Sequence, residues 1–174
     1  MAAFQEQPNP WQRLDWRLLQ NGPLSMYLRP VVLEDDLAWL TENAYTIDRL
    51  DCSGWRDAET AHTALAETLA FPDYYGRNLD ALNDCMRDLD VPDEGGRVIV
   101  FERFDVPAAA ISDFAYVVLD IVASIARDKL LFGRRLIALV QSNDPTLGFP
   151  PVGATSVTWN PREWLDSARR VSDR

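Results

Sequence analysis

Residues 71–86 read FPDYYGRNLDALNDCM, a stretch that combines a chain break, a turn and the start of a helix. The Phe-Pro pair at its start ends the preceding element, because proline cannot continue a helix. Gly76 supplies backbone freedom for the turn, and Asn78 is a residue type that favours the N-cap position. The sequence therefore predicts a turn followed by a compact helix from Asn78 to about Leu89.

The predicted helix carries a stripe of carboxylates. Asp80, Asp84 and Asp88 are spaced by four residues and so share one face. The apolar residues on the opposite, packing face are Leu79, Leu82, Met86 and Leu89. Like charges at this spacing destabilise a helix by about 0.2–0.5 kcal/mol per pair, so the stripe is locally unfavourable. Such a stripe suits either a merely solvated helix face or a surface that meets a cationic partner.

The charge of the surrounding segment favours the second interpretation. Residues 73–94 contain seven acidic and two basic residues, a net charge of −5, which is half of the protein's net charge of −10. Tyr74 and Tyr75 directly precede the stripe. Aromatic anchors beside exposed carboxylates are ingredients of a protein-binding surface.

Strands and helices alternate on both sides of this segment. Continuous apolar runs are typical of strands covered on both faces, and recurring leucines and alanines at helical spacing indicate helices. We predict strands at 26–32, 45–50, 98–101 and 136–140, and helices at 11–18, 33–40, 58–69 and 107–129. The alternation predicts an α/β fold in which helices flank a small, mainly parallel β-sheet.

The C-terminal segment contains a helix start signal. Asn160 is a candidate N-cap, Pro161 stands at the first helical position, and Glu163 completes a capping box. Trp159 and Trp164 occupy the two positions of a hydrophobic staple. These residues predict a helix from 161 to about 170.

Length, composition and charge exclude several classes of protein. A chain of 174 residues suits one domain, and 47% hydrophobic residues argue against disorder. The excess of 27 acidic over 17 basic residues disfavours nucleic-acid binding, because phosphate backbones require a basic surface. No apolar run approaches the roughly 20 residues of a membrane helix, and no secretory signal is visible. We therefore expect a cytoplasmic protein with no membrane contact, in which Cys52 and Cys85 remain reduced.

The sequence offers little support for an enzyme. The only histidine, His62, falls away from the apolar face of its helix, which predicts a solvated surface side chain. No GxSxG, HExxH, P-loop or GxGxxG motif is present. A Mg²⁺ site on the carboxylate stripe would have to span about 12 Å, which is too far for one ion. We expect no catalytic residue, no metal and no cofactor, and a Mg²⁺-dependent hydrolase remains the least favoured alternative.

Residues 71–86 resemble the signature of the barstar family, whose members are intracellular inhibitors of barnase-type ribonucleases. The similarity extends over about residues 45–140, in the same strand–helix–helix–strand–helix–strand order. The resemblance implies a barstar-like three-layer core over 45–140. We expect it to be enlarged by an N-terminal extension (1–44) with a strand–helix unit and by a C-terminal extension (141–174) with a helix, all within a single domain (1–174).

The resemblance also implies roles for individual residues. Tyr74 would lie against the mouth of the partner's active site, and Asp84 would enter its catalytic cleft. Asp80 would form a second charged contact, while Gly76 and Asn78 would shape and cap the docking loop.

Two features depart from the family's pattern. The family has a tryptophan where this chain has Asn83, and it takes a glutamate from its long third helix, where the matching region here is near Ser124, with Asp120 one turn earlier. A related basic nuclease or toxin is therefore the expected partner, and an immunity or antitoxin protein for a different basic effector is the alternative. The oligomeric state stays open, with a monomer favoured. The predicted partner-binding residues are Tyr74, Gly76, Asn78, Asp80, Asn83, Asp84 and Asp88.

Overall fold

The computed structural model describes residues 12–164, and its centre is a sheet of five parallel strands. The strands are β1 (Leu24–Tyr27), β2 (Tyr45–Asp51), β3 (Gly96–Glu102), β4 (Leu136–Gln141) and β5 (Thr158–Trp159). Their order across the sheet is β2-β3-β4-β1-β5. The predicted α/β class with a parallel sheet is confirmed.

Seven α-helices flank the sheet within the described residues. They are α1 (Leu14–Leu19), α2 (Pro30–Glu42), α3 (Ala58–Thr68), α4 (Leu79–Asp88), α5 (Asp105–Ala110), α6 (Ser112–Leu131) and α7 (Pro161–Trp164). Side chains of β3 alternate between two cores, as the pleat of a strand requires. Val98 and Val100 pack with α1 and α2, whereas Ile99 and Phe101 pack with α3, α4 and α6. The result is the predicted three-layer arrangement, with the sheet in the middle.

Two predicted boundaries are wrong. The first strand ends at Tyr27, and a helix already begins at Pro30, because proline's fixed φ suits the first helical turn. Asp36 then lies inside the helix, where it is buried and accepts a hydrogen bond from the Tyr27 hydroxyl at 2.8 Å. The helix predicted at 107–129 is in fact two helices, because Ile111 adopts a non-helical backbone (φ −142°, ψ 54°) between α5 and α6.

The C-terminal segment departs from the predicted capping box. Asn160 does cap α7, since its Oδ1 accepts a hydrogen bond from the Arg162 backbone N–H at 3.0 Å. The Asn160 N–H, however, donates to the Met26 carbonyl at 2.7 Å, as part of the pairing between β1 and β5. It is therefore not available to Glu163, whose carboxylate turns to the start of α2 instead. The side chain of Trp164 and the remainder of the predicted helix lie outside the described residues, as does the start of the helix predicted at 11–18.

Gly95 and Gly96 allow β3 to enter the sheet beside β2. Both have positive φ angles, +66° and +152°. A Cβ on Gly95 would stand 2.0 Å from the carbonyl oxygen of Ala44, so only glycine fits this approach.

The described part of the chain contains no helix with the length and apolar character needed to cross a bilayer. Cys52 is buried, Cys85 is half-buried, and both are free thiols.

Candidate functional site

The acidic helix α4 is fixed at its N-terminus by the residue that the sequence analysis proposed. Asn78 has an extended backbone, and its Oδ1 accepts a hydrogen bond from the Ala81 N–H at 2.8 Å. Leu82 and Met86 are fully buried, which presses one face of α4 against α6. The opposite face is therefore turned to solvent.

That opposite face carries the three carboxylates of the stripe. Asp80, Asp84 and Asp88 are all exposed. Within residues 12–164, no hydrogen bond or ion pair engages any of these three side chains. Asp93 of the same acidic segment differs, because its carboxylate pairs with Arg134 at 3.1 Å. The exposed stripe that the helical spacing predicted is thus present, and within the described part of the chain its carboxylates form no ion pair.

Cations next to α4 bind main-chain oxygens instead of these carboxylates. Lys129 Nζ donates to the carbonyl oxygens of Arg87 at 2.9 Å and Leu89 at 2.8 Å. Arg134 donates to the carbonyl oxygen of Val91 at 2.6 Å. Positive side chains at this position stabilise the C-terminal end of a helix, where carbonyl groups lack helical partners. Burial lowers the pKa of Lys129 from its ordinary value.

The two tyrosines before α4 point in different directions. Tyr74 is 83% exposed, whereas Tyr75 is only 9% exposed and belongs to the core. The Tyr75 backbone N–H donates to the Pro72 carbonyl at 2.9 Å, and its ring packs against Phe71 with the centroids 5.0 Å apart. Tyr75 therefore anchors the loop, while Tyr74 presents a large aromatic surface to solvent.

The role expected for Gly76 is different in the structure. The left-handed conformation of this turn belongs to Arg77 (φ 49°), and Gly76 is not among the glycines with positive φ. What Gly76 provides is space, because a Cβ there would stand 3.2 Å from Nδ2 of Asn78. That nitrogen donates to the Gly76 carbonyl at 3.3 Å, so the loop folds tightly back on the helix cap.

The prediction that His62 is a solvated surface residue is wrong. His62 is 3% exposed, and its Nδ1 lies 2.5 Å from the Tyr75 hydroxyl oxygen. Its ring packs edge-on against Phe114, with the centroids 5.1 Å apart. Burial, followed by the charge of Arg77, lowers the pKa of His62. The missed signal is that His62 precedes Leu65 and Leu69 by three and seven residues, which is also a helical spacing.

Asn83 lies on α4 beside Asp84 and is half-buried.

The region of α6 near Ser124 is covered by the chain's own C-terminal segment. The Asp120 Oδ1 accepts a hydrogen bond from the Gly153 N–H at 2.8 Å, and Arg127 donates to the Gly153 carbonyl at 2.7 Å. Asp120 is thus engaged internally and does not join the free carboxylates of α4.

The titratable side chains of residues 12–164 are not clustered for metal binding. Among the residues that the structure describes, no group of three or more His, Cys, Asp and Glu side chains could hold a metal ion. The carboxylates of α4 are arranged along one helix face, a geometry that suits contact with a surface.

Comparisons with known proteins identify the family of the chain. A family model described as "Barstar (barnase inhibitor)" matches residues 45–140. The chain is 35% identical over 74 residues to "Putative ribonuclease inhibitor YrdF" of Bacillus subtilis (strain 168), a match that covers 42% of this chain and 77% of that protein. Among solved structures, "The walker-type atpase paby2304 of pyrococcus abyssi" aligns with a TM-score of 0.48 and 16% identity. That alignment covers 89% of this chain and 53% of the other, so this chain spans about half of its length.

Proposed function

The chain belongs to the barstar family, and from this membership we propose that it is an intracellular, cytoplasmic protein that binds a basic, barnase-type ribonuclease and blocks its active site. The observation that carries the proposal is the row of exposed carboxylates at Asp80, Asp84 and Asp88, which form no ion pair within residues 12–164. The name of the Bacillus subtilis relative, a ribonuclease inhibitor, supports the same role.

The proposed mechanism is imitation of an RNA backbone by carboxylates. Arginine binds carboxylate and phosphate with the same forked geometry, so a cleft built for RNA also accepts a suitably placed aspartate. Asp84 lies in the middle of the exposed face of α4 and would enter the cleft, with Asp80 as a second charged contact. Asp88 and Asn83 would complete the contact along the helix.

The loop before α4 would supply the apolar part of the contact. Tyr74 is 83% exposed, and large aromatic side chains contribute strongly to binding when a partner covers them. Tyr75 and the Asn78 cap hold the loop in place, which reduces the entropy lost on binding. Gly76 and Asn78 therefore act by shaping the docking loop.

An inhibitor of this kind needs no catalytic group, because it acts by occupying the cleft. We therefore propose a stoichiometric, non-enzymatic role with a protein partner and no cofactor. We also propose that the chain forms one domain around the family core at 45–140. In support, β1 and β5, which lie outside that range, extend the same sheet from its β4 side.

A second candidate function is immunity against a different basic effector. Two observations favour it: Asn83 stands where the family has a tryptophan, and Asp120 is held by Gly153. Both change the surface that a barnase-type enzyme would meet, so the partner would be another basic nuclease toxin.

Inhibition assays test the proposal and separate the two candidates. The purified chain is titrated into a barnase-type ribonuclease and into a panel of basic nuclease toxins, and RNA or DNA cleavage is followed. We expect cleavage to stop at one inhibitor per enzyme for at least one of them. A chain that neither binds nor inhibits any basic nuclease would overturn the proposal.

A matched pair of variants shows whether α4 is responsible. Asp84→Asn removes a charge at the centre of the proposed binding surface, whereas Glu94→Gln removes the charge of an exposed acidic residue beyond α4. Inhibition should weaken for the first variant alone.

A further inference from the structure

A surface groove of about 320 Å³ runs beside the C-terminal half of α4. One side is formed by the segment between α3 and α4, with Phe71 and Pro72, and Leu89 contributes from the end of α4. Asp84, Asp88 and Asp90 also line the groove, and all three are exposed. The groove thus combines apolar walls with a carboxylate rim, directly next to Tyr74.

Among the described residues, no ion pair engages the carboxylates of the rim, although the charges of Asp88 and Asp90 act on the nearby Lys129 ammonium. Arg97 lines the groove, but its guanidinium pairs with Asp48 through two contacts of 2.5 and 3.1 Å, and it donates to the Asp90 carbonyl at 3.0 Å. The nearby ammonium of Lys129 is directed to main-chain oxygens at the end of α4. The side chains of Asp88 and Asp90 take part in no hydrogen bond or ion pair within residues 12–164.

We infer that this groove receives an arginine side chain from the protein partner. The inference rests on the proposed function, because that function requires a basic partner. It adds a second direction of recognition: Asp84 projects into the partner's cleft, and a basic side chain of the partner enters a groove of this chain. Asp90, Phe71, Pro72 and Leu89 join the binding surface as a consequence.

Arginine fits the groove better than lysine for two physical reasons. Both side chains have an aliphatic stem that can lie along apolar walls, but only the planar guanidinium of arginine can stack face-on against the rings of Phe71 and Tyr74. The guanidinium also offers paired N–H groups that match carboxylates, whereas an ammonium is a strongly hydrated point charge. A site with aromatic walls and several carboxylates is therefore selective for arginine.

A titration of the full chain by NMR tests the groove without any nuclease. The probes are N-acetyl-arginine amide, its lysine counterpart, and the uncharged citrulline counterpart. We expect the arginine probe to shift the amide signals of residues 69–71 and 84–90 first, the lysine probe to bind more weakly, and the citrulline probe to cause no saturable shift. Equal binding of arginine and lysine, or shifts spread over all acidic surfaces, would overturn the inference.

Variants complete the test. Asp88→Asn together with Asp90→Asn should weaken binding of the arginine probe about fivefold, since exposed ion pairs are individually modest. Glu94→Gln, an acid outside the groove, should leave it unchanged. An unchanged affinity in the double variant would also reject the inference.

The groove and the proposed function can fail separately. If a basic nuclease is inhibited but the arginine probe does not bind, the inhibitor role stands and the groove has no such occupant. If the probe binds selectively but no basic nuclease is inhibited, the groove is an arginine site and the proposed function is wrong.

Discussion

The Nδ1 atom of His62 lies 2.5 Å from the hydroxyl oxygen of Tyr75 and so joins α3 to the loop that presents Tyr74. Burial lowers the pKa of His62 and raises that of Tyr75, which keeps both groups uncharged at neutral pH. In that state the Tyr75 hydroxyl can donate a hydrogen bond to Nδ1 of the neutral imidazole. The loop before α4 is therefore anchored by a histidine whose pKa lies below its ordinary value of 6.5.

Acidification should lower the free energy of unfolding through His62. Because the folded state holds the pKa of His62 below its ordinary value of 6.5, the unfolded chain takes up the proton first as pH falls. The stability that neutral His62 contributes to the free energy of unfolding is complete above pH 6.5 and is lost progressively below it. Urea unfolding at several pH values between about 5.5 and 7.5 measures how the free energy of unfolding changes with pH.

The control for this prediction is His62→Gln, which keeps a polar side chain but cannot titrate. The variant should be less stable at neutral pH and should show a shallower pH dependence over the same range. Equal pH slopes for the two proteins would show that His62 is not the responsible group.

Replacing Asp84 by alanine should cost the complex about 2–5 kcal/mol, because the partner's cationic groups would lose a carboxylate in a desolvated cleft. The side chain is exposed and has no internal partner within residues 12–164, so the free energy of unfolding should stay nearly unchanged. Calorimetric titration against the inhibited nuclease measures the first quantity, and urea unfolding measures the second. Glu94→Ala is the matched control, and a similar loss of affinity for both variants would refute a special role for Asp84.

Added salt should slow association with the partner. The acidic segment 73–94 carries half of the net charge of −10, and such a field speeds the encounter with a basic protein until ions screen it. Stopped-flow measurements at increasing NaCl concentration should show a falling association rate constant, with a smaller slope for Asp80→Asn. An association rate constant that does not change with NaCl concentration would contradict electrostatic steering.

Local patterns in the sequence were sufficient to predict many of the strands and helices of this structure. The apolar runs of β3 and β4 predict buried strands, because a continuous apolar run is typical of a strand covered on both faces. Asn78 predicts the start of α4, because an N-cap residue acts on the backbone only a few residues away. The exposed stripe of α4 follows from its spacing in the same way. These features hardly involve distant parts of the chain.

The features that the sequence did not predict depend on distant contacts. His62 is buried because Tyr75 and Phe114, from other elements, close over it. The short strand β5 exists only because it pairs with β1, more than a hundred residues earlier. A two-residue strand has no local pattern that predicts it, and the helical spacing of His62 with Leu65 and Leu69 does not show which other elements cover that face.

Glu163 illustrates the same limit and supports a last prediction. Its carboxylate, 1% exposed, accepts hydrogen bonds from the backbone N–H groups of Leu28 and Arg29, both at 3.0 Å, and pairs with the Arg29 guanidinium at 3.1 Å. A negative group there also suits the N-terminus of α2. Glu163→Ala should therefore lower the free energy of unfolding by about 3 kcal/mol, because buried donors would lose their charged acceptor.

Glu163→Gln distinguishes charge from hydrogen bonding at this position. Glutamine retains one acceptor oxygen of the same reach, so its loss of stability should be smaller than that of alanine, on the order of half. Neither variant should change inhibition of a nuclease, since Glu163 contacts α2 and the end of β1, whereas the proposed binding residues belong to α4 and the loop before it. Urea unfolding and an inhibition assay provide the two measurements. If Glu163→Ala unfolded like the unmodified chain, the carboxylate would not hold the C-terminal segment to α2.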